Sequence, residues 1–180
     1  MKYIPNILTL IRMLLIPVFI WVYLSAIPNH HLWALFIYLL AGFTDFLDGY
    51  LARKYEVVSV IGTVMDPLAD KLMLLAALGV LFYDHNLPGF IFVIMVIKES
   101  LLMIAGTIMY FHDDQIVIPA NWFGKTATIV FTLAIIFLFA IPTSPVSYTI
   151  LALAVGLKLL AFFSYLKIMM KILKERKQTP

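Results

Sequence analysis

The chain has no cysteine among its 180 residues. Disulfides, thiolate nucleophiles and cysteine-ligated metals are therefore excluded, and the redox compartment is not readable. Charge is scarce too. Asp, Glu, Lys and Arg make up 13% of the residues and 63% are hydrophobic, whereas soluble domains carry about 25% charged residues. A soluble globule is excluded by that balance. No internal repeat, low-complexity tract or composition break divides the chain, so 1–180 reads as a single membrane domain. Histidine is limited to His30, His31, His85 and His112, all in connections between apolar runs, which argues against zinc. Nothing in the composition points to nucleic acid.

What the chain does have is apolar length. A helix that crosses hydrocarbon needs about 20 mainly apolar residues. Six segments qualify: 7–27, 32–52, 62–83, 88–110, 125–141 and 147–171, the fifth of them short. Turn chemistry separates them at Pro28-Asn29, His85-Asn86-Leu87-Pro88 and Pro142-Thr143-Ser144-Pro145. Asn6, or failing that Thr9, is expected to cap the first helix, and Thr63 to help start the third. Lys2 followed by an apolar run looks like a signal peptide, but Arg12 interrupts that run and further spans follow. The first helix is expected to be retained.

Lys and Arg fall in alternate connections. Lys2, Arg53, Lys54, Lys125 and the tail Lys171, Lys174, Arg176 and Lys177 carry them, whereas the connections near 28–31, 84–87 and 142–146 carry none. The positive-inside rule then places both termini in the cytoplasm. The expected fold class is an all-α integral membrane protein of the plasma membrane, with six transmembrane helices and both termini cytoplasmic. The basic tail either lies along anionic headgroups or serves as a topology signal alone. Trp21, Tyr23, Trp33, Tyr110 and Trp122 near span ends form an ordinary interfacial belt.

Against this apolar background, Asp45, Asp48, Asp66 and Asp70 fall close together in sequence. A carboxylate inside a membrane costs roughly 2.5–3.5 kcal/mol on insertion scales, so four of them require neutralisation. Asp45 and Asp48 are three apart near the end of the second span. Asp66 and Asp70 are four apart near the start of the third, and each pair shares a helical face. A short connection brings both pairs to the cytoplasmic side. Two divalent cations, Mg²⁺ or Mn²⁺, suit such hard oxygen donors and point to phosphate chemistry. The bland alternative pairs these residues with Lys71, Arg53 or Lys54, but four carboxylates outnumber the bases nearby. Gly49, Ala52 and Gly62 are small enough to admit a nucleotide or a neighbouring helix. A divalent-cation transporter would also carry intramembrane carboxylates, normally nearer the midplane and on interrupted helices.

The string Asp45-x2-Asp48-Gly49-x2-Ala52-Arg53-x8-Gly62-x3-Asp66-x3-Asp70 resembles the signature of the CDP-alcohol phosphatidyltransferases at every specified position. The opening Pro5-Asn6-x-Leu8-Thr9-x2-Arg12 and the Gly124-Lys125 pair extend the resemblance along the chain. By that resemblance CDP-diacylglycerol is the donor, a small alcohol the acceptor, and CMP the leaving group. Asp45, Asp48, Asp66 and Asp70 would hold two divalent cations, with Asp70 also the general base. Gly49, Ala52, Arg53 and Gly62 would bind the CDP-lipid, and a homodimer is expected.

The acceptor is less legible. A phosphorylated alcohol such as glycerol 3-phosphate needs a basic pocket, for which Lys125, Lys98, Lys158 and Arg12 are candidates. The alternatives are that Lys98 pairs with Glu99 and that Lys158 snorkels. Lys98-Glu99 resembles the Arg-Glu pair of bacterial family members that use glycerol 3-phosphate. Those members usually carry Arg where this chain has Gly106, and Gln where it has Phe131. Lys125-x-Ala127-Thr128 instead resembles members whose acceptor is phosphatidylglycerol. Glycerol 3-phosphate leads; phosphatidylglycerol is the alternative.

Overall fold

The computed structural model describes residues 4–55, 60–111 and 122–176. Among these the chain is all helical: α1 Ile4–Leu24, α2 His30–Tyr55, α3 Val60–Tyr83, α4 Gly89–Phe111, α5 Trp122–Ala140 and α6 Pro145–Arg176. They form two compact units, residues 1–103 and 104–180.

In the first unit α1 packs on α2 and α3, and α2 also meets α3. The α1 face that makes these contacts repeats at helical spacing through Thr9, Arg12, Phe19 and Val22-Tyr23, all buried. Ala34, Ala41 and Thr44 line the facing stripe of α2, and small side chains there let the backbones approach. Ala69, Met73, Ala77 and Leu81 form the buried row of α3. The ring of Phe82 stacks on Phe92 of α4 with centroids 4.7 Å apart. In the second unit α5 packs on α6 through Ala127, Phe131, Ile135 and Leu138 against Leu151 and Ala154.

The outward faces are apolar as well. Leu14, Trp21, Phe36, Phe43, Leu153 and Phe163 are all exposed. Hydrocarbon, with nothing to offer a polar group, is the surrounding that suits such a face. Among the described residues, three helices contain stretches long and apolar enough to cross a membrane: Ile7–Leu24, His30–Tyr50 and Pro145–Lys167, while Gly124–Ala140 is a shorter apolar helix. Pro17 lies inside α1, where it removes one backbone donor, a loss that in hydrocarbon has to be made good from within the protein.

The three tight turns fall where the sequence places them, and each holds one non-glycine residue at positive φ: Asn29, His85 and Thr143. Asn tolerates that region through its short polar side chain; β-branched Thr does not do so readily. Ser147 donates to the carbonyl of Ile141 at 2.8 Å and so closes the α5–α6 turn. At the α3–α4 turn, Tyr23 of α1 donates its hydroxyl to Asp84 Oδ2 at 3.0 Å, and Asn86 donates to the same oxygen at 2.9 Å.

Two expectations about helix starts are corrected. α1 begins at Ile4, ahead of both Asn6 and Thr9, and Thr9 uses its hydroxyl on another helix. α3 begins at Val60, so Thr63 lies inside its first turn. In both cases the helix starts before the polar residue that was expected to begin it.

Candidate active site

The site begins with an arginine in a place that demands a partner. Arg12 of α1 is 1% exposed, and a buried guanidinium is costly unless its charge is matched. Its Nη1 lies 2.7 Å from Asp45 Oδ1 as an ion pair without hydrogen-bond alignment. Its Nη2 donates to Asp48 Oδ2 at 2.5 Å. Asp45 and Asp48 sit one turn apart on α2, so a single planar fork meets both. One turn before Arg12 on α1, Thr9 donates to Asp66 Oδ1 of α3. Asp66 and Asp70 both lie within electrostatic reach of Asp45, and Asp66 within reach of Asp48. The four carboxylates therefore lie in one neighbourhood of the first unit.

The cluster is graded from closed to open. Asp48 is buried, the Asp45 side chain is 48% exposed, Asp66 is half-buried and Asp70 is exposed. A ligand arriving from outside meets Asp70 and Asp45 first. The donor set suits a hard divalent cation: it is all carboxylate oxygen, with no cysteine in the chain, and its acidic charge exceeds what Arg12 supplies. In this arrangement the guanidinium provides the positive charge between Asp45 and Asp48. Among the described residues no three Asp, Glu or His side chains stand close enough to share one ion.

Beside this cluster lies a second charged group, in which the Lys98–Glu99 pair offered by the sequence is present and Lys71 is the member that sequence reasoning did not place. Glu99 of α4 is fully buried and accepts from both Lys71 of α3 and Lys98 of its own helix. Lys71 follows Asp70 directly, so the turn of α3 that carries Asp70 is anchored to α4. Lys71 is thus engaged with Glu99, and Arg12 supplies the ion pairs that Asp45 and Asp48 make.

In the second unit Lys158 of α6 is buried and donates to Thr128 Oγ1 of α5 at 3.1 Å. Its ammonium also lies 5.4 Å from the centre of the Phe131 ring, the position where a Gln was expected in glycerol-3-phosphate users. Thr128 in turn donates to the Gly124 carbonyl at 2.9 Å. Lys125 is exposed at the first turns of α5. Of the four cations expected on acceptor phosphate, Arg12, Lys98 and Lys158 are thus engaged within the protein. Gly49 is half-buried on α2; the side-chain surroundings of Ala52, Arg53 and Gly62 lie outside the described residues.

The profile of the CDP-alcohol phosphatidyltransferase family matches residues 2–161. The chain belongs to the CDP-alcohol phosphatidyltransferase family. It is an integral membrane protein by that membership and by its apolar helices. A CDP-diacylglycerol–glycerol-3-phosphate 3-phosphatidyltransferase of Haemophilus influenzae is 36% identical over 128 residues, covering 69% of each chain. One of the same name from Rickettsia bellii is 30% identical over 170 residues, covering 91% of this chain and 93% of its own. A cardiolipin synthase (CMP-forming) of Streptomyces coelicolor is 34% identical over 131 residues, which span 69% of this chain and 59% of that relative.

Proposed function

We propose that this phosphatidyltransferase moves a phosphatidyl group from CDP-diacylglycerol to glycerol 3-phosphate, giving phosphatidylglycerophosphate and CMP. The observation that carries this reading is that α1 ties Asp45 and Asp48 of α2, through Arg12, and Asp66 of α3, through Thr9, into one acidic neighbourhood with the exposed Asp70 one turn from Asp66. Relatives named for that reaction cover most of the chain and support it. The whole chain acts as one catalytic domain with six spans, both termini and the site on the cytoplasmic side of the plasma membrane. The Lys and Arg distribution supports that orientation. A homodimer is part of the proposal.

The four Asp residues would hold two divalent cations, Mg²⁺ or Mn²⁺. When bound, these polarise the pyrophosphate and neutralise the charge on departing CMP. Asp70 is exposed, so an acceptor hydroxyl can approach it; Asp70 takes the hydroxyl proton. The acceptor oxygen bonds to the phosphatidyl phosphorus, and the bond from that phosphorus to the CMP oxygen breaks, its electron pair leaving with CMP. Gly49, Ala52, Arg53 and Gly62 seat the CDP moiety, with Arg53 against phosphate. Lys125 receives the acceptor phosphate. Lys98 and Lys158 are held by Glu99 and Thr128 as supporting charge.

A second reading takes phosphatidylglycerol as acceptor, giving cardiolipin. Two observations favour it: the Streptomyces relative, and Lys125-x-Ala127-Thr128 with Phe131 in place of Gln. Competing the two acceptors against each other with purified protein and labelled CDP-diacylglycerol separates the readings. Phosphatidylglycerophosphate is the expected product; cardiolipin as the main product would install the second reading.

A further inference from the structure

Among the described residues of α1, the buried polar side chains are Thr9 and Arg12. That helix supplies none of the four carboxylates, yet Thr9 and Arg12 reach carboxylates on two other helices: Thr9 one on α3, Arg12 two on α2. A guanidinium this deeply buried is tolerated only with its charge matched, and here the match is Asp45 and Asp48. The converse holds with equal force. Converging carboxylates repel one another and disfavour the fold whenever no cation lies among them.

We propose that Arg12 is a resident counter-cation. It holds Asp45 and Asp48 in place when divalent ions are absent and competes with those ions for the same oxygens when they are present. Through these contacts α1 serves as a strut that keeps the quartet together between loading events. Thr9 is the uncharged half of that strut, orienting Asp66. The role is one of positioning, and it rests on the reading that the four carboxylates bind divalent ions.

The test compares wild type, Arg12→Gln and Arg12→Lys in detergent. Thermal unfolding is followed in EDTA and in saturating Mg²⁺, and Mn²⁺ binding through loss of the free-ion spin-resonance signal. Arg12→Gln should lose more stability in EDTA than in Mg²⁺, widening the gap between the two melting temperatures. Mn²⁺ should bind it about tenfold more tightly, because the competing guanidinium is gone, and the stabilisation a native-state ligand gives grows with the logarithm of its concentration over Kd. Arg12→Lys keeps the charge without the fork, so its gap should fall between the two. Purification of Arg12→Gln only when Mg²⁺ is present would be the same result in extreme form. Equal losses in both conditions, or weaker Mn²⁺ binding, would overturn the proposal. If Arg12→Gln cannot be purified at all, Arg12→Lys decides, and a gap no wider than wild type overturns it. Absence of any Mg²⁺ or Mn²⁺ effect on wild type would instead remove the metal-binding reading itself, and the proposal with it.

Discussion

Glu99 of α4, fully buried, accepts from Lys71, the residue that follows Asp70 on α3. The carboxylate that anchors the α3 turn is thus itself held between two lysines, Lys71 and Lys98. Removing it leaves two cations with nothing to answer them, and breaking a buried ion pair from one side costs about 3–5 kcal/mol. Glu99→Ala is expected to lower the melting temperature sharply and, by loosening the turn, to reduce turnover. Glu99→Gln should recover part of the stability. An unchanged melting temperature in both variants would show that the two lysines find other counter-charges.

Asp66→Asn and Asp70→Asn test the two α3 carboxylates separately. Asparagine keeps an oxygen for the Thr9 hydroxyl, so Asp66→Asn should insert and fold while losing its charge. Asp70→Asn removes the base at the open edge. Each should cut kcat by at least about 100-fold, within the range that general-base removal produces. Membrane insertion, read by fractionation, should be normal. Near-normal turnover in either would dismiss the roles given to them.

Lys125 is exposed near the start of α5, where backbone N–H groups also favour anions. Lys125→Ala should raise the KM for glycerol 3-phosphate by about tenfold with kcat little changed, as loss of a uniform binding contact does. The KM for CDP-diacylglycerol should stay as it is. An unaltered acceptor KM would remove Lys125 from the acceptor site.

Tyr23 provides a contrast far from this chemistry. Its hydroxyl donates to Asp84 at the α3–α4 turn. Tyr23→Phe deletes one hydrogen bond and keeps the ring, so a loss of about 1 kcal/mol in stability is expected. Transfer rates should match wild type. A large fall in turnover would mean that this turn is coupled to the site.

How much of this was legible beforehand follows from the range of each signal. The six apolar segments and the turns at Pro28-Asn29, His85 to Pro88 and Pro142 to Pro145 are local features, and the helices and turns lie there. The spacing of Asp45 with Asp48 and of Asp66 with Asp70 is local too. Helix ends were less legible: α2 runs to Tyr55 and α6 to Arg176, past the apolar stretches. Hydropathy marks where hydrocarbon ends, and a helix has no need to stop there. What periodicity did not reveal was which side chains meet across helices. Arg12 with Asp48, Thr9 with Asp66 and Lys71 with Glu99 depend on the packing register of α1 to α4. The hints were present, in Thr9 and Arg12 one turn apart and Lys71 beside Asp70, but spacing alone does not name a distant partner.

The most direct measurement is release of labelled CMP from CDP-diacylglycerol by the purified protein, with glycerol 3-phosphate present or withheld, in Mg²⁺ or in EDTA. CMP should appear only when both the acceptor and Mg²⁺ are supplied, in equal amount to phosphatidylglycerophosphate. CMP release that persists undiminished in EDTA would contradict a site built on four ion-binding carboxylates.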